Sequence, residues 1–294
     1  MFLPLGDDVD HRDFSVLGII LVAINVGVFL YMLRICFGQE GAQEMQKFIF
    51  AWGLVPADLA KGHYCGLVTH MFLHANVLHL LGNMFCFWAF VHTLESSLGI
   101  LRFAVFYILW GVLAGLAHAA THWGSEVPMI GASGAIAGMM GAYFVAFGPF
   151  TNIRTLVFIT HVFVANIPAY VFMAIWVGLQ LIEAASATEG EIGVAWYAHL
   201  GGFLAGALTV TIFGRDLQTQ LVLNKSGTYE LHSPAPSQKM RPEEVTTRIE
   251  NPPSVCPFCG TQINERNRLA ANLMRCPNPT CARCIYLTEV PVEA

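Results

Sequence analysis

A chain of 294 residues that is 55% hydrophobic and only 12% charged is not an ordinary soluble domain, where about a quarter of residues carry charge. The mean hydropathy of +0.56 agrees, and a formal charge of -5 offers no basic face, so no nucleic-acid partner is expected. These bounds leave a polytopic helical protein that has membrane lipid as its solvent.

In chain order, residues 1–13 form a short N-terminal segment with Asp7, Asp8, Asp10 and Asp13 against Arg12. It lacks the basic start of a cleavable signal peptide, and the apolar run after it is too long for one. Phe14 to Cys36 is therefore read as a retained anchor and first span. Phe37 to Leu67 is a loop of amphipathic character, through Phe48, Phe50, Trp52, Leu54 and Val55, suited to the membrane interface. Five further spans are predicted: Val77 to Leu98, Leu101 to Ala120, Ala132 to Phe150, Val162 to Glu183 and Val194 to Phe213, each near the ~20 residues that cross a bilayer. The fold class is thus an all-α, six-transmembrane-helix membrane domain over residues 14–215. Arg12, Arg102, Arg154, Arg215 and Lys225 fall on one side and Arg34, Lys47 and Lys61 on the other, which places both termini in the cytoplasm. The plain six-span core suggests a bacterial inner membrane.

Residues 216–254 turn to proline, serine, threonine and mixed charge, the composition of a flexible linker. Residues 255–294 form a cysteine-rich module. Cys256 and Cys259 make one knuckle, and Cys276, Cys281 and Cys284 crowd into a second. Such paired knuckles match a zinc-ribbon-like β module with a structural zinc. Five thiols compete for four places. Cys276 opens with the same Cys-Pro as the first knuckle, so Cys256, Cys259, Cys276 and Cys281 are favoured as metal ligands, with Cys284 as competitor. Four thiolates leave no open position for water, so the module is read as structural, with a protein partner or a role in localisation. A redox sensor that releases zinc on oxidation is the alternative. Arg266, Arg268, Arg275 and Arg283 are offset by acids, which again speaks against nucleic acid.

Polar residues inside the spans carry the chemistry. Ser133 lies between glycines in Gly131-Ala-Ser-Gly134, where a polar loop becomes an apolar run. Gly134, Ala137, Gly138, Gly141 and Ala142 then give the fourth span a smooth face. Ala198, Gly202 and Gly206 give the sixth a matching stripe. A close crossing of the two would bring His199 within reach of Ser133. His79 and Asn83 share one face of the second span. All three groups stand near the outer starts of their spans, so they share a depth. A serine–histidine pair can do nucleophilic catalysis, with the imidazole taking the proton as the hydroxyl attacks a carbonyl. Glu95 lies at the wrong end of its helix for a triad, so a dyad is read. His79, Asn83 and the Ser133 N–H can form an oxyanion hole.

Gly131-Ala-Ser133-Gly, the run His70, His74, His79 and Asn83, and Ala198-His199-Leu-Gly-Gly together resemble the rhomboid intramembrane serine proteases over roughly Ser15 to Gly214. The resemblance implies Ser133 as nucleophile, His199 as general base, and His79 with Asn83 as oxyanion donors. It implies hydrolysis of peptide bonds in or near the membrane segments of transmembrane protein substrates, with no cofactor for catalysis. His70 and His74 are carried over as supporting residues and Glu95 as a structural glutamate. One departure stands out: Cys65-Gly66 occupies the place where the family often has Trp-Arg, whose arginine braces the first loop. Two rival functions remain, a catalytically inactive relative that binds or escorts membrane proteins, and a transporter with polar residues along a pathway.

Overall fold

The structure is a computed structural model that describes residues 2–10, 14–37, 40–147, 151–158, 161–186, 196–213 and 262, with short strands within 220–286. Strands β1 (Phe2–Asp7) and β2 (Val9–Asp10) precede helix α1 (Val16–Cys36). The first long connection folds into α2 (Gly41–Trp52), α3 (Pro56–Leu59), α4 (Gly66–Thr69) and a 3-10 turn at His70–Phe72. Then follow α5 (Val77–Leu98), α6 (Ile100–Thr121) and α7 (Ser133–Phe147). A hairpin of β3 (Asn152–Phe158) and β4 (Val162–Pro168) leads to α8 (Ala169–Ser186) and α9 (Trp196–Phe213).

Helices α1, α5, α6 and α9 are long and apolar enough to cross a membrane, while α7 and the stretch Ala169–Ile182 of α8 are apolar but shorter. Their outer faces expose Ile20, Ile24 and Leu30 on α1, Val105 and Leu116 on α6, and Leu204, Leu208 and Ile212 on α9. So broad an apolar exterior has lipid as its counterpart. The protein is an integral membrane protein, and mostly helical.

Helix α7 is buried along nearly its whole length and forms the centre of the bundle. Its small residues let neighbours close in. A methyl group on Gly138 would strike Trp110 of α6, and one on Gly134 would meet the Ala114 side chain at 2.6 Å. Larger side chains fill the rest of the core: Phe87, Phe90, Phe103, Tyr107, Trp110 and Tyr143 are buried and packed ring against ring. Glu95 does structural work. Its carboxylate accepts from the Ser15 hydroxyl and from the N–H groups of Val16 at 3.1 Å, Leu17 at 3.3 Å and Gly18 at 3.2 Å. An anion placed there satisfies the orphan donors of the α1 N-terminus and complements its dipole.

The membrane domain is not all helix. The expected fifth span, from Val162 to Glu183, begins as strand β4, and its helix starts only after Pro168. The run Val162-Phe-Val-Ala-Asn-Ile is apolar and rich in β-branched residues, and a short apolar run cannot be sorted into strand or helix by hydropathy alone. Partners decide it. β3 and β4 pair antiparallel from Asn152↔Pro168 to Phe158↔Val162, and β1 pairs antiparallel with β3 from Phe2↔Val157 to Asp7↔Ile153. The first residues of the chain are thereby tied to the connection between α7 and α8. Asp8 reinforces the join, its carboxylate accepting from the Asn152 N–H at 3.0 Å and from the Asn152 side chain at 2.8 Å.

Beyond α9, β5 (Gln220–Leu223) and β6 (Tyr229–His232) form a hairpin, and β6 also runs parallel to β2. In the tail, β7 (Arg268–Ala270), β8 (Leu273–Arg275) and β9 (Cys284–Tyr286) form a small antiparallel sheet. Cys256, Cys259, Cys276 and Cys281 lie outside the described residues, as does most of the linker, and Cys284 is the first residue of β9.

Candidate active site

The polar residues singled out in the sequence meet at one end of the bundle, where α5, α7 and α9 begin. Asn76 caps α5, its side-chain oxygen accepting from the His79 N–H at 2.8 Å. His79 and Asn83 follow one turn apart on the same face. The His79 Nδ1 accepts from the Ala75 N–H at 3.4 Å, which leaves Nε2 as the protonated, donating nitrogen.

The segment before Ser133 is held from two sides. Leu54 and Met129 exchange backbone hydrogen bonds of 3.0 and 2.8 Å, and the Gly131 N–H donates to the His70 carbonyl at 2.8 Å. Gly131 has φ +123°, a conformation few residues with a Cβ adopt. A Cβ there would also come within 2.8 Å of His79 Nε2 and 3.6 Å of Asn83 Nδ2. Glycine is required twice over, by its dihedral angle and by the two side chains beside it. Ser133 then opens α7, so its N–H is one of those a helix cannot satisfy within itself, at the positive end of the dipole.

Helices α7 and α9 cross in backbone contact. A methyl on Gly202 would run into the Gly134 carbonyl, one on Gly206 into the Gly138 carbonyl, and one on Gly141 into the Phe203 carbonyl. This crossing puts His199 Nε2 2.7 Å from Ser133 Oγ. Nδ1 of the same imidazole meets the Gln180 side-chain oxygen of α8. Trp176, one turn earlier on α8, has its ring centroid 5.9 Å from His199 and stacks on Phe203 at 6.3 Å. His199 and Gln180 are both buried.

Asn83 Nδ2 is buried and, among the described residues, has no hydrogen-bond partner. An unpaired buried donor is costly and is kept where a ligand group completes it. His79 Nε2 and Asn83 Nδ2 both lie beside Gly131, and the Ser133 N–H follows two residues further on. An acyl group attacked by Ser133 would turn its developing oxyanion toward them.

His70 and His74 support this arrangement. Both are buried, His70 through its carbonyl bond to Gly131 and His74 with its ring edge-on to His79 at 5.1 Å. Burial pushes both imidazoles down to about 4, so they are neutral near pH 7. The departure at Cys65-Gly66 has its own solution. Gly66 lies against the backbone of Gly53 and Leu54, where a Cβ would come within 2.5 Å of the Gly53 carbonyl oxygen. Thr69 donates its hydroxyl to the Trp52 carbonyl at 2.5 Å. Close backbone packing anchors the first loop here, with no arginine in that place.

Two contributors escaped sequence reasoning. The Leu54–Met129 bridge joins residues far apart in the chain, with no pattern to mark it. Gln180 did carry a signal, as an amide alone in an apolar run, since intramembrane polar groups are expensive.

These features define a helical membrane protein with a serine–histidine pair and, beside Gly131, the side chains of His79 and Asn83. The pattern of the Rhomboid domain matches residues 61–216, more than half of the chain, and the protein belongs to the rhomboid family. It is similar to Rhomboid protease GluP of Bacillus subtilis (strain 168), 26% identical over 227 residues that cover 74% of this chain and 41% of that protein. It also resembles RHOMBOID-like protein 5 of Arabidopsis thaliana, 32% identical over 82 residues, which cover 28% of this chain and 26% of that one. RHOMBOID-like protein 6, mitochondrial, of the same plant is 38% identical over 76 residues, 26% of this chain and 24% of its own length. The chain thus spans less than half the length of each of these relatives.

Proposed function

We propose that this protein is an intramembrane serine endopeptidase that hydrolyses peptide bonds in or near the transmembrane segments of membrane proteins. The observation that carries the reading is the 2.7 Å contact of Ser133 Oγ with His199 Nε2, together with an Asn83 Nδ2 that has no partner among the described residues. Family membership and the similarity to a protein named as a rhomboid protease support it.

In this reading His199 Nε2 takes the hydroxyl proton as Ser133 Oγ bonds to the scissile carbonyl carbon. The carbonyl oxygen becomes an oxyanion held by Asn83 Nδ2, His79 Nε2 and the Ser133 N–H. Imidazolium then gives its proton to the leaving nitrogen as the C–N bond breaks, leaving an acyl-serine. Water, deprotonated by the same imidazole, hydrolyses that ester and restores the pair. The pair and the donors are all groups of this chain, and no cofactor enters the scheme. One oxyanion donor contributes about 3 kcal/mol in the transition state.

Six membrane crossings by α1, α5, α6, α7, α8 and α9, with both termini cytoplasmic in a bacterial cell membrane, complete the proposal. The tail is proposed as a zinc-ribbon-like structural module that binds zinc through Cys256, Cys259, Cys276 and Cys281, or Cys284 in place of one, and offers a surface to a protein partner. Metal analysis of the purified chain should give one zinc per molecule, and a ratio near zero would remove the module.

The deciding test is labelling of the detergent-purified protein with a fluorophosphonate. Wild type should label, and Ser133→Ala and His199→Ala should not. A folded wild-type protein that stays unlabelled would favour the inactive, partner-binding reading.

A further inference from the structure

The Ser133–His199 pair works only if the imidazole carries its proton on the nitrogen away from the serine. Neutral histidine has two tautomers, and the hydrogen bond made by one nitrogen decides which is populated. In the Nδ1–H form, Nε2 presents a lone pair to the Ser133 hydroxyl and can accept its proton. In the Nε2–H form, both groups at the 2.7 Å contact would be donors in the direction of attack, and the base would be lost.

The far side of the ring is occupied. His199 Nδ1 faces the Oε1 atom of Gln180, an acceptor, and both residues are buried. An amide oxygen there accepts from Nδ1–H and stabilises that tautomer. The choice of an amide suits the place. A carboxylate would do the same with a full charge, which is expensive to bury at membrane depth. Gln180 provides the acceptor without the charge. Trp176, one turn earlier on α8, brings its ring centroid to 5.9 Å from the imidazole and stacks on Phe203 of α9 at 6.3 Å.

We infer that Gln180 is a positioning residue of the active site, which holds His199 in the tautomer that can take the Ser133 proton. The inference rests on the serine–histidine reading above. It makes the site a chain of three residues from three helices, Ser133 on α7, His199 on α9 and Gln180 on α8. The base is therefore competent only while α8 is docked against α9.

The test uses the full chain in detergent, with the rate of fluorophosphonate labelling at Ser133 as first readout. Gln180→Met keeps the length of the side chain and removes the acceptor. It should label about tenfold or more slowly, a fraction of the 10²- to 10⁴-fold that general-base assistance supplies. Gln180→Glu restores an acceptor in the same place and should return labelling to within about threefold of wild type, since an acceptor at that nitrogen is what the imidazole needs. Labelling of Gln180→Met at the wild-type rate would overturn the inference. So would equal slowing in Met and Glu variants, which marks a packing role.

The second readout needs no variant at Gln180. Nitrogen-15 NMR of histidine-labelled wild type, with His199→Ala to assign the resonance, should show the His199 proton on Nδ1. A proton on Nε2 would overturn the inference even if Gln180→Met fails to fold. If wild type itself does not label, the serine–histidine reading fails first and this inference falls with it. That outcome is distinct from a labelled wild type with indifferent Gln180 variants.

Discussion

His199 is approached from two sides by two kinds of packing. Toward α7 the contact is backbone on backbone, with Gly202 and Gly206 lying against the carbonyls of Gly134 and Gly138. Toward α8 it is made by long side chains, Trp176 and Gln180, while Tyr170, Leu179, Leu181 and Ile182 of the same helix remain exposed. The first kind cannot adjust, because a carbonyl and a Cα have no rotamers. The second can. The distance between Ser133 and His199 is therefore a property of the main chain, whereas the orientation of the His199 ring depends on side chains. The two properties can be broken separately.

The seam should be the more fragile. Gly206→Val sets a branched side chain against a backbone carbonyl, and over-packing with no room to yield costs about 3 kcal/mol or more. Cleavage and probe labelling should be lost and the melting temperature should fall. Gly202→Val should act in the same direction beside Ser133, although it deletes no group of the site. Full activity in either variant would mean that the helices cross elsewhere.

Asn83→Ala comes next. It leaves both packings intact and removes one proposed oxyanion donor, so turnover should fall roughly 10²- to 10³-fold with little change in melting temperature. A variant that is unfolded, or as active as wild type, would move Asn83 from the site to the core.

Least severe is Trp176→Leu on the adjustable side. A loss of one aromatic contact amounts to about 1 kcal/mol, so labelling should slow by less than tenfold while the fold persists. A collapse as complete as that of Gly206→Val would show the two sides of His199 to be equally rigid.

The contrast also explains what was legible in the sequence. Small residues at helical spacing and polar groups inside apolar runs are local signals, so the α7–α9 crossing and the residues Ser133, His199, His79 and Asn83 stood out before any fold was known. Helix bounds followed hydropathy to within a few residues. The strand at Val162–Pro168 did not, because its apolar, β-branched run satisfies a bilayer as readily as a sheet, and only pairing with β3 and β1 chooses between them. Gln180 was visible as a residue but not as a partner. Its role depends on which face of α8 turns toward α9, and a helix apolar on nearly every side gives no periodicity from which to read that face.

The strand pairing at the start of the chain sets a clock on biosynthesis. Phe2–Asp7 is made before α1, yet its partner Asn152–Phe158 is made only after α1, α5, α6 and α7. At synthesis rates of about 5–20 residues per second, the roughly 150 intervening residues impose a wait of about 7 to 30 s. Throughout that interval β1 is without its partner strand, and the sheet can close only once the chain beyond α7 has been made.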